Sequence, residues 1–157
     1  MNETTMKLEG DRTIVIARAF DASARTVFDA ITKPELVSRW WAPRSHGTIA
    51  SCTADVRAGG SYRYVMKATG GQEVAFSGTY REVTPTSRLV YTSRFEGAPP
   101  GAGEAVVTVT LEERAGKTHV VHQEVYPSAA VRDAVLATGM EHGMREALEQ
   151  LATVVQS

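Results

Sequence analysis

His122 and Glu124 stand two residues apart in a β-branched stretch, so an extended backbone carries both side chains on one face. In an apolar hollow, an imidazole beside a carboxylate is an acid–base pair whose pKa values burial would shift. On the outer face of a sheet the same two residues are a solvated polar pair, which is the plainer reading. The other histidines, His46, His119 and His142, do not converge. His119 and His122 differ by three in a strand and point to opposite sides, and His142 lies outside any H-E-x-x-H pattern. Cys52 is the single cysteine, so zinc-ligand spacing is absent, and neither a metal nor a cofactor is expected. The sequence has no G-x-S-x-G, and local sequence places no histidine beside Cys52. The glycine pairs at 59–60 and 70–71 fit turns and match neither a Rossmann nor a Walker phosphate cradle.

The second chemical resource is aromatic and thioether surface. Trp40, Trp41, Tyr62, Tyr64, Phe76, Tyr80, Tyr91 and Tyr126 are either core or the lining of a pocket whose tyrosine hydroxyls fix a ligand's polar end. Trp41 precedes the corner at Pro43, which should border a pocket mouth. Met140 and Met144 are four apart and share a helix face, and with Met66 they offer a deformable binding surface. The expected ligand-binding set is Trp40, Trp41, Tyr62, Tyr64, Met66, Phe76, Tyr80, Tyr91, Met140 and Met144.

These residues need a scaffold. A length of 157 residues suits one domain, expected at residues 12–157 behind a polar tail at 1–11. Seventeen basic and eighteen acidic residues are interspersed, for a net charge of −1. That balance favours neither nucleic acid nor an anionic membrane. The N-terminus lacks the apolar run of a secretory signal, and no segment is apolar and long enough to insert in a bilayer. A lone cysteine fits a reducing compartment, so a cytoplasmic location is expected, as a monomer or homodimer.

Residues 12–20 read as a first strand. Asp21 and Ser23 can each cap a helix carrying Val27, Phe28 and Ile31, and Pro34 opens a second short helix that Pro43 ends. Six strands follow at 47–56, 60–68, 73–83, 88–96, 104–114 and 117–126, separated by short turn-forming breaks that favour an antiparallel meander. Residues 128–155 contain no proline, and Leu136, Met140, Met144, Ala147, Leu151 and Val155 recur at helical spacing. The expected architecture is α+β: a seven-stranded curved antiparallel sheet wrapped around a long C-terminal helix, with two short helices after the first strand. Such a sheet splays where the helix departs, which leaves room for a cleft.

Several runs resemble a known family. They are Val27-Phe28-Asp29-Ala30 with Thr32-Lys33-Pro34-Glu35, Arg39-Trp40-Trp41-Ala42-Pro43, and Gly59-Gly60-Ser61-Tyr62-Arg63. The most specific is Gly78-Thr79-Tyr80-Arg81-Glu82-Val83-Thr84-Pro85 followed by Arg88-Leu89-Val90-Tyr91-Thr92. With Gly139-Met140-Glu141-His142-Gly143 they resemble the START-like, or Bet v 1-like, superfamily, and within it the group named after the C-terminal domain of the activator of Hsp90 ATPase. Ser23 stands where many members have proline, and Met144 where many have an aromatic residue. The resemblance implies the helix-grip fold. Its members include lipid and hormone carriers, polyketide cyclases and a co-chaperone, so function has to come from the site. The leading expectation is a small-molecule binding protein with an apolar cavity between sheet and C-terminal helix, its partner a hydrophobic or amphipathic molecule. The alternative is a cyclase- or hydrolase-like enzyme in the same cavity, with His122 and Glu124 as catalytic candidates. An Hsp90-type co-chaperone is the third, for which the activator's separate N-terminal domain is expected to have no counterpart.

Overall fold

The computed structural model describes residues 2–156. The chain runs β1 (Thr5–Glu9), β2 (Thr13–Phe20), α1 (Ala24–Thr32), α2 (Pro34–Val37), β3 (Gly47–Ala54), β4 (Ser61–Ala68), β5 (Glu73–Thr84), β6 (Arg88–Phe95), β7 (Ala105–Arg114), β8 (Lys117–Val125), α3 (Ala129–Ala137) and α4 (Met140–Val155). The strands form one antiparallel sheet in the order β1-β2-β8-β7-β6-β5-β4-β3. From β2 onward every expected strand is present, with ends within two residues of those read from the turns.

Two features differ from expectation. The sheet has eight strands, because Thr5–Glu9 pairs with β2 as an edge strand instead of forming a tail. Its residues are mostly exposed, so main-chain pairing carries it and its apolar pattern is weak. The C-terminal helix is also two helices. Gly139 adopts φ +80°, a left-handed conformation that breaks the helix and that glycine takes without a Cβ penalty.

Local chemistry sets the other elements. The Ser23 hydroxyl accepts from the Thr26 amide at 3.1 Å and caps α1, which explains the serine at that position. Trp40 Nε1 donates to the Ala30 carbonyl at 2.8 Å and ties the chain after α2 back onto α1. Register defines the inward face. In β2, Ile14, Ile16, Arg18 and Phe20 are buried at every second position. Ile16 faces His122, which faces Val109, and Val109 faces Leu89. Directly paired residues share a side of the sheet, so all of these lie on one face. Phe20, Leu89, Val107, Val109 and Leu111 of that face, with Val27 and Phe28 of α1 and Leu151, Ala152 and Val155 of α4, form a single apolar cluster.

Helix α4 is fixed by buried polar bonds as well as by packing. The Gln150 amide donates to the carbonyls of Trp40 and Ala42 at 2.9 Å each, and its oxygen accepts from the Arg44 amide at 2.9 Å. Glu146 accepts from the Ser45 backbone amide and hydroxyl. Arg18, with 6% of its side chain exposed, reaches Glu149 at 2.6 Å. Helix α3 is held differently. Arg132 is its one buried residue, and its guanidinium donates to the carbonyls of Gly10 and Thr13 in the β1–β2 turn.

An inward-facing polar cluster on the eighth strand

His122 and Glu124 of β8, and Tyr126 one residue past its end, stand at alternate positions. Glu124 pairs with Ile14 on one side and Val107 on the other, and both partners are buried core residues. The plainer sequence reading, an outer-face pair, is therefore corrected: His122 and Glu124 point to the helix side. The cause is register. Residues 117–126 hold valines on both parities, Val120 inward and Val121 and Val125 outward, so only the pairing with β2 and β7 decides the face.

The three side chains bond to one another. Glu124 accepts from His122 Nε2 at 3.2 Å and from the Tyr126 hydroxyl at 2.6 Å. Burial pushes the Glu124 carboxyl upward, but the hydrogen bond and charge of His122, together with the Tyr126 hydroxyl, outweigh it. The net position is below the usual carboxylate range, so Glu124 is an anion at neutral pH. Burial, and then the Glu124 charge, raise the Tyr126 phenol, which stays protonated and donating.

An aromatic run leads into this cluster. Trp41 meets Tyr64 and Phe76 edge-on, with ring centroids 5.4 and 5.3 Å apart. Tyr62 lies 4.9 Å from Tyr64, 5.5 Å from Tyr80 and 5.5 Å from Tyr91. Tyr91 is the member that feels Glu124, Tyr126 and Tyr62 together, and burial drives its phenol well up. Tyr91 and Glu124 share the inward face, on either side of Val107. Even so, neither is closed to solvent: Tyr91 is only half-buried, and 16% of the Glu124 side chain and 30% of the His122 side chain remain exposed.

The residues expected to bind ligand divide into two groups. Tyr62, Tyr64 and Tyr80 are buried core, and the Tyr62 hydroxyl is already used on the Thr92 carbonyl at 2.7 Å. Trp40, Trp41, Met66, Phe76, Tyr91, Met140 and Met144 are half-buried. Met140 and Met144 continue the stripe of Ala147, Leu151 and Val155 along α4, so helical phase turns them to the sheet. Tyr126 was absent from that set although the His122-x-Glu124-x-Tyr126 spacing carries the signal. Arg18 was missed too, although it stands at an apolar position of the β2 alternation.

Other chemistry is closed off or lies elsewhere. Burial pushes the Cys52 thiol up to about 11, which keeps it protonated and unreactive near neutrality. Among the described residues no group of three or more His, Cys, Asp or Glu side chains is arranged to hold a metal. Two of the molecule's clefts are open surface grooves, and neither is the apolar cavity expected. One, of about 690 Å³, lies on the outer sheet face between Thr53, Arg63, Ser77, Thr79, Arg94 and Glu96. The other, of about 720 Å³, lies among Asn2, Thr4, Arg18, Arg145 and Glu149. Of the expected ligand residues, Tyr62 alone borders either. Among the described residues no helix is long and apolar enough to cross a membrane.

An antiparallel sheet that packs its inner face against a C-terminal helix, with two short helices between its second and third strands, defines a helix-grip domain of the START-like, Bet v 1-like superfamily. The chain belongs to the family described as activator of Hsp90 ATPase homolog 1-like protein, whose model matches residues 21–156. A crystal structure of a Rhodobacter sphaeroides protein is similar over 98% of this chain and 99% of that chain, at 25% identity and a TM-score of 0.89. A solution structure of an Arthrobacter aurescens protein covers 97% and 91%, at 25% identity and 0.86. A Chromobacterium violaceum crystal structure covers 92% and 98%, at 28% identity and 0.75. Comparison with curated proteins gave no match.

Proposed function

We propose that the protein binds a small amphipathic molecule between the inner sheet face and the helical segment around Gly139. The polar end of the ligand lies at Glu124, His122 and Tyr91. The observation that carries this reading is the partial exposure of Tyr91, His122 and Glu124 on the inward face of the sheet, among buried apolar residues. An inward-facing group that solvent still reaches borders a cleft, and a mainly apolar cleft with a few convergent polar groups is the usual form of a small-molecule site. Membership of a family with the helix-grip fold supports ligand binding in general. The test is native mass spectrometry of protein purified from cells, followed by thermal shifts with polyketide-like aromatics, steroids and long-chain alcohols. Co-purified mass in the range of a few hundred daltons, or a saturable shift with one class, is expected. An empty protein unmoved by every class would overturn the reading.

One observation also favours a second reading, proton-transfer catalysis in the same cleft. Glu124 and Tyr126 fix His122, and a fixed imidazole can take and return a proton. An enzyme of this kind should lose turnover on a cyclisable aromatic substrate when His122→Ala is introduced, while still binding it. Added to an Hsp90-type ATPase, the protein should leave turnover unchanged. A saturable rise would favour the co-chaperone reading that the family description suggests.

A further inference from the structure

We infer that the cleft selects molecules whose polar end is a hydrogen-bond donor without negative charge, an alcohol, phenol or amine on an apolar body, and rejects carboxylates. This rests on the proposed binding reading and adds the chemical class.

The argument is a count of donors and acceptors. Each Glu124 oxygen receives one bond, Oε1 from Tyr126 and Oε2 from His122. A carboxylate oxygen accepts two, so one acceptor position is left on each. Tyr91 lies across Val107 from Glu124 on the same face, and its hydroxyl makes no hydrogen bond among the described residues and can donate or accept. A ligand hydroxyl set between Glu124 and Tyr91 would donate to the first and accept from the second. That pairs both groups, the arrangement a dry site requires. An amine satisfies the Glu124 half of the same geometry and adds charge attraction.

A carboxylate satisfies neither half. It brings a second negative charge beside Glu124, where little water screens the repulsion. The nearest cation is spent, since His122 turns Nε2 to Glu124, which leaves the pair at best neutral. The two buried arginines are anchored elsewhere, Arg18 to Glu149 at 2.6 Å and Arg132 to the Gly10 and Thr13 carbonyls, and neither is among the groups that act on Glu124. Val107, Val109, Ile14 and Ile16 surround the cluster on the sheet side and accept an apolar body of either class. The selection therefore acts on the head group alone.

The probes are matched pairs on one body: 1-naphthol against 1-naphthoate, and 1-decanol against decanoate, titrated calorimetrically into the intact protein at pH 7.5. The neutral member of a pair should bind at least about tenfold more tightly than its carboxylate. In Glu124→Gln, which keeps the side-chain shape, the gap should close to within about threefold. Tyr91→Phe should weaken the alcohols and leave the carboxylates as they were. Thermal melts of both variants establish that they fold. Equal binding of the two members in the native protein, or a gap that persists in Glu124→Gln, would overturn the selectivity and leave the cleft standing. Failure of all four probes would overturn the cleft itself and the selectivity with it.

Discussion

The two ends of the terminal helical segment meet the sheet in opposite ways. From Ala147 to Val155, helix α4 buries Ala147, Gln150, Leu151, Ala152 and Val155 and joins the main core. From Ala129 to Met144 the segment buries only Arg132, breaks at Gly139, and leaves Met140 and Met144 half-covered. The sheet beneath differs in parallel. Phe20, Leu89 and Leu111 of the sheet join the same cluster as the packed half, whereas His122, Glu124 and Tyr126 stand outside it. Stability is concentrated where apolar surface meets apolar surface. The other half buries only Arg132, whose guanidinium donates to the Gly10 and Thr13 carbonyls, while the bonds of Glu149 and Gln150 belong to the packed half.

Substitutions that separate the halves test this contrast. Leu151→Ala should be the most damaging, costing about 2–5 kcal/mol in urea melts, because Leu151 is 2% exposed at the centre of the packed half. Gln150→Ala should cost about 1–3 kcal/mol, since it strands the Trp40 and Ala42 carbonyls and the Arg44 amide. Met144→Ala should fall below about 2 kcal/mol, because the half-buried Met144 has fewer packing partners to lose. It should instead change which ligands bind. A Met144→Ala loss as large as that of Leu151→Ala would erase the distinction between the halves.

The smallest effect concerns pH. The folded Glu124 carboxyl titrates below its ordinary value of 4.5, so its bonds to His122 and Tyr126 contribute stability that is present above that value. The contribution is lost as pH falls through the lower folded pKa. Native protein should therefore lose stability more steeply below pH about 4.5 than Glu124→Gln does. Parallel urea midpoints against pH would show it, and superimposable profiles would mean that Glu124 is not held ionised by its neighbours.

Most of the scaffold was legible because its signals are local. Turn residues bounded each of the strands after β1, and the alternation of Tyr62, Tyr64 and Met66 or Val107, Val109 and Leu111 marked their faces. Edge strand β1 was not, since Lys7 and Glu9 resemble tail sequence and its stability is all main-chain pairing with β2. The break at Gly139 was concealed by spacing: Leu136, Met140 and Met144 stay four apart across it. The site was legible only in part. The types and spacing of His122 and Glu124 were readable, but their direction required the neighbours that register supplies. Tyr62, Tyr64 and Tyr80 looked like pocket residues, yet their packing against one another makes them its wall.

The central claim is that ligand enters between the inner sheet face and the helical segment around Gly139. The most direct test is a solution NMR titration of 1-naphthol into protein labelled at methionine methyls and histidine rings. The account predicts saturable shifts at Met140, Met144 and His122, with the amides of Tyr91 and Glu124 moving at the same ligand concentration. Shifts confined to the outer groove between Arg63, Arg94 and Glu96, with Met144 and His122 unmoved, would contradict it.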